Sequence, residues 1–525
     1  MSSSAGRVGG SKNLILAAMI FAVSMTFIDQ TIVSIAVPEI QKELGLSATG
    51  VQWAVNAYLL SLAALFAFGG RLADTVGHRK MVVLGVIVFA AASTMCGLTP
   101  TGSAAEAWIV TFRVVQGAGG AIMFPAALAI VVQTFPMRER GKALATFFGI
   151  AGGLTAVGPI LGGYLTQWTW RAIFWVNIPV ALIALVLVFL SKPTTSCRPA
   201  RMDYRGLALI ASGVALSVFG FQQSTIWGWS NPAIGLSIAA GAALLVVFYF
   251  VEQRTDPPLM QVRIFRIRAF LVENLVLGVS MLAFIPVFFF ASEYAQISLA
   301  KSASQAGLFL LYFFIGFVVA AQIGGRMLDR GGAKRPVVLG CVVATVGFAL
   351  WAGKVTHLNF GAQKWYVVLA GFGMGMMLGP ASTDAVNRAS RLSYGEATGI
   401  TQTVRNYAAS LGLAVLGTVL VTEMHTRVTA SLVSRGLTHS EAAREATAIT
   451  QSQSGGGAGS SLPLFVRTDF AYATRSVLIG MAVAMGVAAV VGLIGLRPGL
   501  QTEPAADGPG SDEPVAGPRA EIADA

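Results

Sequence analysis

Gly70-Arg71-Leu72-Ala73-Asp74-Thr75-Val76-Gly77-His78-Arg79-Lys80 is a short basic turn between two apolar runs, 51–70 and 81–98. Each run is close to the roughly 20 residues that a membrane-spanning helix needs. Gly70 and Gly77 permit close helix approach and positive φ, and Asp74 suits a neighbouring helix N-terminus through its dipole. Arg71, Arg79 and Lys80 hold such a loop on one side of a bilayer. The arrangement returns as Gly325-Arg326-Met327-Leu328-Asp329-Arg330-Gly331-Gly332-Ala333-Lys334-Arg335, displaced by 255 residues (70 to 325), and Pro125 and Pro380 share that displacement. Two matches at one offset predict duplicated halves.

Composition places the whole chain in the same class. Of 525 residues, 55% are hydrophobic and 11% charged, and the mean hydropathy is +0.70. So apolar a chain needs a solvent other than water. Apolar runs at 13–36, 51–70, 81–98, 107–132, 143–166, 172–190, 206–222, 233–251, 269–292, 306–325, 336–352, 365–384, 398–421 and 475–496 predict about fourteen spanning helices. The fold class expected is all-α and integral to the membrane, two six-helix bundles plus two inserted helices. The net charge of +12 would suggest nucleic acid in a soluble protein. Here most of the 36 Lys and Arg crowd one set of loops, while the opposite short loops hold only Lys42, Arg171, Lys301, Lys354 and Lys364. That bias predicts a multi-pass inner (plasma) membrane protein with both termini cytoplasmic and no nucleic-acid partner. The first run is too long for a signal peptide and is expected to remain as the first span. Cys96, Cys197 and Cys341 show neither disulfide nor metal-ligand spacing.

Five segments are expected: 1–12 a cytoplasmic N-terminus, 13–190 a first six-helix bundle, 191–268 a linker with two extra spans, 269–497 a second bundle, and 498–525 a disordered acidic cytoplasmic tail. Within the second bundle, 422–474 is expected outside the cytoplasm as a hairpin or short amphipathic helix. Thr438-x-x-Glu441 there has the form of a capping box, and Gly455 to Gly459 that of a flexible stretch.

Charges inside apolar runs carry the chemistry. Asp29 lies two-thirds through the first run, where an ionised carboxylate costs roughly 2.5–3.5 kcal/mol on insertion scales, so it needs an aqueous cavity or a partner. It can carry a proton, counter a cationic compound, or serve as a satisfied packing residue. Arg113 is deeper and cannot deprotonate, so it must pair with a carboxylate, backbone carbonyls or water. Its counterpart in the second half, Val368, has no charge. Gly149-x-x-x-Gly153 and Gly158-Pro159-x-x-Gly162-Gly163 predict a closely packed, bent fifth helix. Trp53, Asn56 and Tyr58 on the second helix, with Gln116 and Arg405, are candidates for lining a greasy cavity. Interfacial snorkelling accounts for Glu273, Glu293 and Asp384, with a part in coupling left open, and His78 reads as solvated.

Together, Asp29-Gln30-Thr31-Ile32-Val33-Ser34-Ile35-Ala36-Val37-Pro38, Gly70 to Lys80, Arg113-x-x-Gln116-Gly117, Gly158-Pro159-x-x-Gly162-Gly163 and Trp170-Arg171-x-x-Phe174-x-x-Asn177-x-Pro179 occur in an order that resembles the major facilitator superfamily, and within it the fourteen-helix drug:proton antiporters. The resemblance covers 13–497. It implies that Asp29 is functionally important, that Arg113 acts in proton transfer, that the Gly70 to Lys80 turn is a conformational latch between halves, and that Gly158-Pro159 marks an exporter. Arg405, in Arg405-Asn406-Tyr407-x-x-Ser410-x-Gly412, also matches the family pattern.

The function expected is proton-coupled efflux of lipophilic, cationic or aromatic drugs or antibiotics. The partners are a small lipophilic substrate, protons and membrane lipids, with a monomer expected and no cofactor beyond the proton gradient. An exporter dedicated to one metabolite (antibiotic, lipid or siderophore) and a proton-linked importer are the alternatives. A membrane-embedded enzyme is disfavoured, because no nucleotide loop, metal cluster or nucleophile elbow appears.

Overall fold

The computed structural model describes residues 11–136, 139, 143–144, 146–147, 150, 154–155, 157–193, 202–388, 394–453 and 462–499. Among them 13 helices are long and apolar enough to cross a membrane. In chain order the helices are α1 (Lys12–Leu44), α2 (Ala48–Val76), α3 (His78–Gly97), α4 (Ala105–Thr134), α5 (Val157–Trp168) and α6 (Ala172–Ser191). Then follow α7 (Tyr204–Trp227), α8 (Pro232–Glu252), α9 (Arg268–Ile297), α10 (Ala303–Gly331), α11 (Lys334–Lys354), α12 (Phe360–Arg388) and α13 (Tyr394–Val433). The short α14 (His439–Gln453) precedes the last span, α15 (Leu464–Gly495). The expected span at 143–166 is described only in fragments that end in α5. The Gly149–Gly153 pair, Cys197, the Gly455 to Gly459 stretch and the tail from residue 500 lie outside the described residues.

Helices outrun the apolar segments that predict them, because a hydrogen-bonded helix continues past the hydrocarbon until a residue stops it. Gly45 stops α1 with φ 66°, its N–H returning to Gln41 O at 2.8 Å. α13 continues twelve residues beyond the predicted 421 before a turn with Gly436 at φ 101°. In its described residues the region 422–474 comprises the end of α13, α14 and the start of α15. Thr438 caps α14 as its spacing suggests, its N–H donating to Glu441 Oε2 at 3.1 Å while Glu441 N–H donates to Thr438 Oγ1 at 3.4 Å.

The sequence repeat is also a backbone repeat. α2 and α10 begin and end 255 residues apart, at 48 and 303 and at 76 and 331. Gly69 lets α2 cross α4 closely, since a β-carbon there would collide with Ala121 O. Its counterpart Gly324 does the same for α10 on α12, where a β-carbon would run into Met376 O. Turns match as well, with φ 111° at Gly77 and 79° at Gly332. α1, α3, α4 and α6 pack around one another, as do α9, α11, α12 and α15. α2 lies on α13, α5 on α10 and α1 on α9, forming the seam between the two sets. α7 and α8 pair with each other, and α7 rests on both α2 and α13.

Candidate functional site

α1 is enclosed along most of its length, so Asp29 is carried into the packed interior, where it is 1% exposed. On α4, Arg113 and Gln116 sit three residues apart on one face, and neither reaches solvent. Gly117 brings that face against α2, since a β-carbon there would lie 2.6 Å from Tyr58 O. The approach puts Arg113 Nε 2.8 Å from Ala54 O. Arg113 Nη1 donates to Asp29 Oδ2 at 2.5 Å and to Gln116 Oε1 at 2.7 Å, and Gln116 Nε2 closes the triangle on Asp29 Oδ1 at 2.8 Å. The guanidinium carbon stands 4.4 Å from the centre of the Tyr58 ring, whose hydroxyl donates to Thr26 O at 3.2 Å. The centre is a desolvated ion pair that also engages one amide, one carbonyl and the Tyr58 ring. Isolated charges there would be costly, whereas the paired set is electrically neutral.

The five residues expected around one greasy space divide. Tyr58 and Gln116 join the Asp29–Arg113 centre. Trp53 and Asn56 face α7 instead: Trp53 meets the Phe219 ring at 6.2 Å, and Asn56 Nδ2 donates to Gln222 Oε1 at 2.8 Å. Asn56 Oδ1 also accepts from Ser410 Oγ of α13, so one buried amide joins α2, the insert and the second half. Gln222 is absent from the sequence reading, in which Ser410 enters only as part of the Arg405 to Gly412 pattern. The signal for Gln222, a glutamine at the end of an apolar run, is one that many packing residues share. Arg405 sits on α13 with its buried Nε unpartnered.

In the Gly70 to Lys80 turn, Gly77 makes the sharp break and α3 begins at once. His78 is therefore buried, not solvated, and its Nε2 lies 3.0 Å from Asp74 Oδ1. Arg79 reaches over the Phe189 ring of α6 at 5.9 Å, Lys80 is exposed, and the Arg71 Nε is buried without a partner. A β-carbon at Gly70 would meet Pro125 only at ordinary contact distance, so the close approach belongs to Gly69. Snorkelling does not describe Glu273, Glu293 and Asp384, all of which are buried, because α9 and α12 are enclosed helices. Glu293 keeps Oε2 unpartnered.

The Gly158-Pro159-Gly162-Gly163 helix is wedged in the seam. A β-carbon at Gly158 would collide with Thr31 Oγ1 of α1, and one at Gly163 would lie 2.8 Å from Ser304 Cα of α10. Gly307 of α10 answers from the other side, where a β-carbon would run into Pro159 O. At the same end of the bundle Gln296 Nε2 donates to Ile35 O across the seam at 3.0 Å, and Gln167 meets Ser304. Trp170 and Arg171 lock the turn before α6: both donate to Glu43, at 2.6 and 2.8 Å, and Arg171 Nη1 also caps Gly97 O and Thr99 O.

The family model described as "Major Facilitator Superfamily" matches residues 19–413. The chain belongs to the Major Facilitator Superfamily. A tetracenomycin C resistance and export protein from Streptomyces glaucescens is 34% identical over 416 residues, 78% of this chain and 76% of that protein. The multidrug resistance protein Stp from Mycobacterium tuberculosis is 29% identical over 400 residues, 75% and 73% of the two chains. Among solved structures, the xylose transporter XylE from E. coli in a partially occluded inward-open conformation superposes with a TM-score of 0.59 at 13% identity, covering 91% of this chain and 96% of that one. A Major Facilitator Superfamily protein is a multi-pass membrane transporter and not an enzyme, and it works by alternating access of a central site to the two sides of the membrane.

Proposed function

We propose that the protein exports a lipophilic, cationic or aromatic antibiotic or drug across the plasma membrane in exchange for protons, with both termini cytoplasmic. The observation that carries this reading is the buried triangle of Asp29, Arg113 and Gln116 in the first half. With Asp29 ionised, Arg113 is neutralised and α1 is tied to α4. A proton on Asp29 Oδ2 removes the ion pair and leaves Arg113 with Gln116 Oε1, Ala54 O and the Tyr58 face. That change in the α1–α4 contact is the proposed link between protonation and rocking of residues 13–190 against 269–497, with residues 191–268 as the inserted linker. The Gly70 to Lys80 turn is the latch in this reading, and the glycine-lined α5–α10 contact is the surface that slides.

The relatives' names, an export protein for one compound and a multidrug resistance protein, support export over import. The first also supports a second reading, a transporter dedicated to a single metabolite. The test uses inverted vesicles with wild type and Asp29→Asn. The substitution is expected to lower gradient-driven accumulation roughly tenfold or more, the range of a coupling free energy, while substrate exchange without a gradient persists. Accumulation unchanged in Asp29→Asn would remove Asp29 from the coupling step.

A further inference from the structure

α11 and α15 pack against each other on the outer surface of the bundle, where small residues leave a trench of about 320 Å³ open to the surroundings. Its walls are Thr345, Ala349 and Gly353 from α11 and Ile479, Val483 and Gly486 from α15, with Arg475 at one end. Ile479 and Val483 are 45% and 61% exposed, so this face looks away from the protein and, in a spanning helix, toward lipid. Arg475 is itself exposed, and no ion pair or hydrogen bond among the described residues engages it. No acidic residue lines the trench.

Dimensions fix its setting. From Arg475 to Gly486 the helix rises about 16 Å at 1.5 Å per residue, which is one leaflet of a hydrocarbon core roughly 30 Å thick. The cationic end lies beside Gly353, one residue before the end of α11. At this same end of the bundle Trp168, Trp229 and Trp365 are strongly exposed, as aromatic side chains are at a membrane–water boundary. An apolar slot one leaflet long, with an exposed guanidinium at one end, is complementary to an acyl chain that carries an anionic head.

We propose that this trench holds one acyl chain of an anionic phospholipid, with the lipid phosphate at Arg475. The glycines and alanines make room for the chain, and Ile479 and Val483 flank it. The phosphate supplies the negative partner that the protein does not. The site is separate from the Asp29–Arg113 centre, which lies in the other half.

The test is native mass spectrometry of the full chain released from nanodiscs holding equal amounts of dioleoyl phosphatidylglycerol and dioleoyl phosphatidylcholine. Wild type is expected to retain one phosphatidylglycerol preferentially. Arg475→Gln is expected to lower that preference about fivefold, the factor for one basic side chain at a lipid surface. Ala349→Phe and Gly353→Leu fill the trench, and a β-carbon at Gly353 would meet nothing within 4 Å, so the backbone there has room for a side chain directed into the trench. Both are expected to abolish retention of either lipid while thermal unfolding in phosphatidylcholine matches wild type. Glycerol phosphate, a headgroup without chains, is expected not to displace the lipid. Retention unchanged in Arg475→Gln overturns the assignment of the phosphate, retention unchanged in the filled variants overturns the trench, and displacement by glycerol phosphate overturns the acyl-chain contact.

Discussion

Arg113 has no proton to give, so whatever it contributes comes through the charge it holds beside Asp29. Removing one member of a buried pair strands the other: Arg113→Ala is expected to cost about 3–5 kcal/mol. Asp29→Asn with Arg113→Gln, which leaves no uncompensated charge, is expected to recover most of that loss. Thermal unfolding of the single and double variants in one detergent measures the difference. Both residues were legible in the sequence because a charge inside an apolar run requires a partner. Gln116 and Tyr58 were legible only as cavity candidates, since nothing in their spacing says that they face Arg113 and not a substrate. His78 was misread for a related reason. A histidine among charged loop residues looks solvated, and only the immediate start of α3 after Gly77 buries it.

Elements were easier to place than their ends. The apolar runs located the spans, whereas the stops depend on single left-handed residues such as Gly45 and Gly436. Gly77 at φ 111° is such a residue inside the basic turn, and Gly77→Ala is expected to destabilise the protein by about 1–2 kcal/mol, read by thermal unfolding. The α5–α10 contact sets a different limit. A side chain at Gly307 would run into Pro159 O, so Gly307→Leu is expected to hold the seam apart and to abolish transport while surface expression persists. In α14 the Thr438 hydroxyl and N–H hold the Glu441 carboxyl below its usual value of 4.5. A depressed acid stabilises the folded form above its unfolded pKa and loses that effect as pH falls. Amide protection factors over 439–453, which remove the intrinsic pH dependence of exchange, are therefore expected to fall as the pH drops below about 4.5, and Glu441→Gln, which cannot titrate, is expected to flatten that response.

At the scale of the molecule the two halves share a backbone but not a chemistry. The positions of Asp29, Tyr58 and Arg113 recur, 255 residues on, as Phe284, Phe313 and Val368. Where the first half has an ion pair, the second has an aromatic cluster, with Phe284 and Phe313 6.3 Å apart and Phe288 stacked on Phe314 at 5.1 Å. The repeat and this asymmetry could be read from the sequence, through Val368. The place of the inserted pair could not. It rests on Asn56, Gln222 and Ser410, three ordinary polar residues distant in the chain whose pairing only the fold reveals. Because this cluster ties α2, α7 and α13, Gln222→Ala is expected to loosen the seam and raise the rate of modification of a cysteine placed at Ser410, compared with the same cysteine beside Gln222.

Proton movement is the most direct test of the proposed exchange. Purified protein in proteoliposomes with an imposed pH gradient is challenged with a panel of lipophilic cations and aromatic antibiotics, while a pH-sensitive dye and substrate flux are followed together. Antiport predicts that a transported compound collapses the gradient with flux opposite to the protons, and that Asp29→Asn separates the two. Substrate and protons moving in the same direction, or substrate moving with no response of the dye, would contradict it.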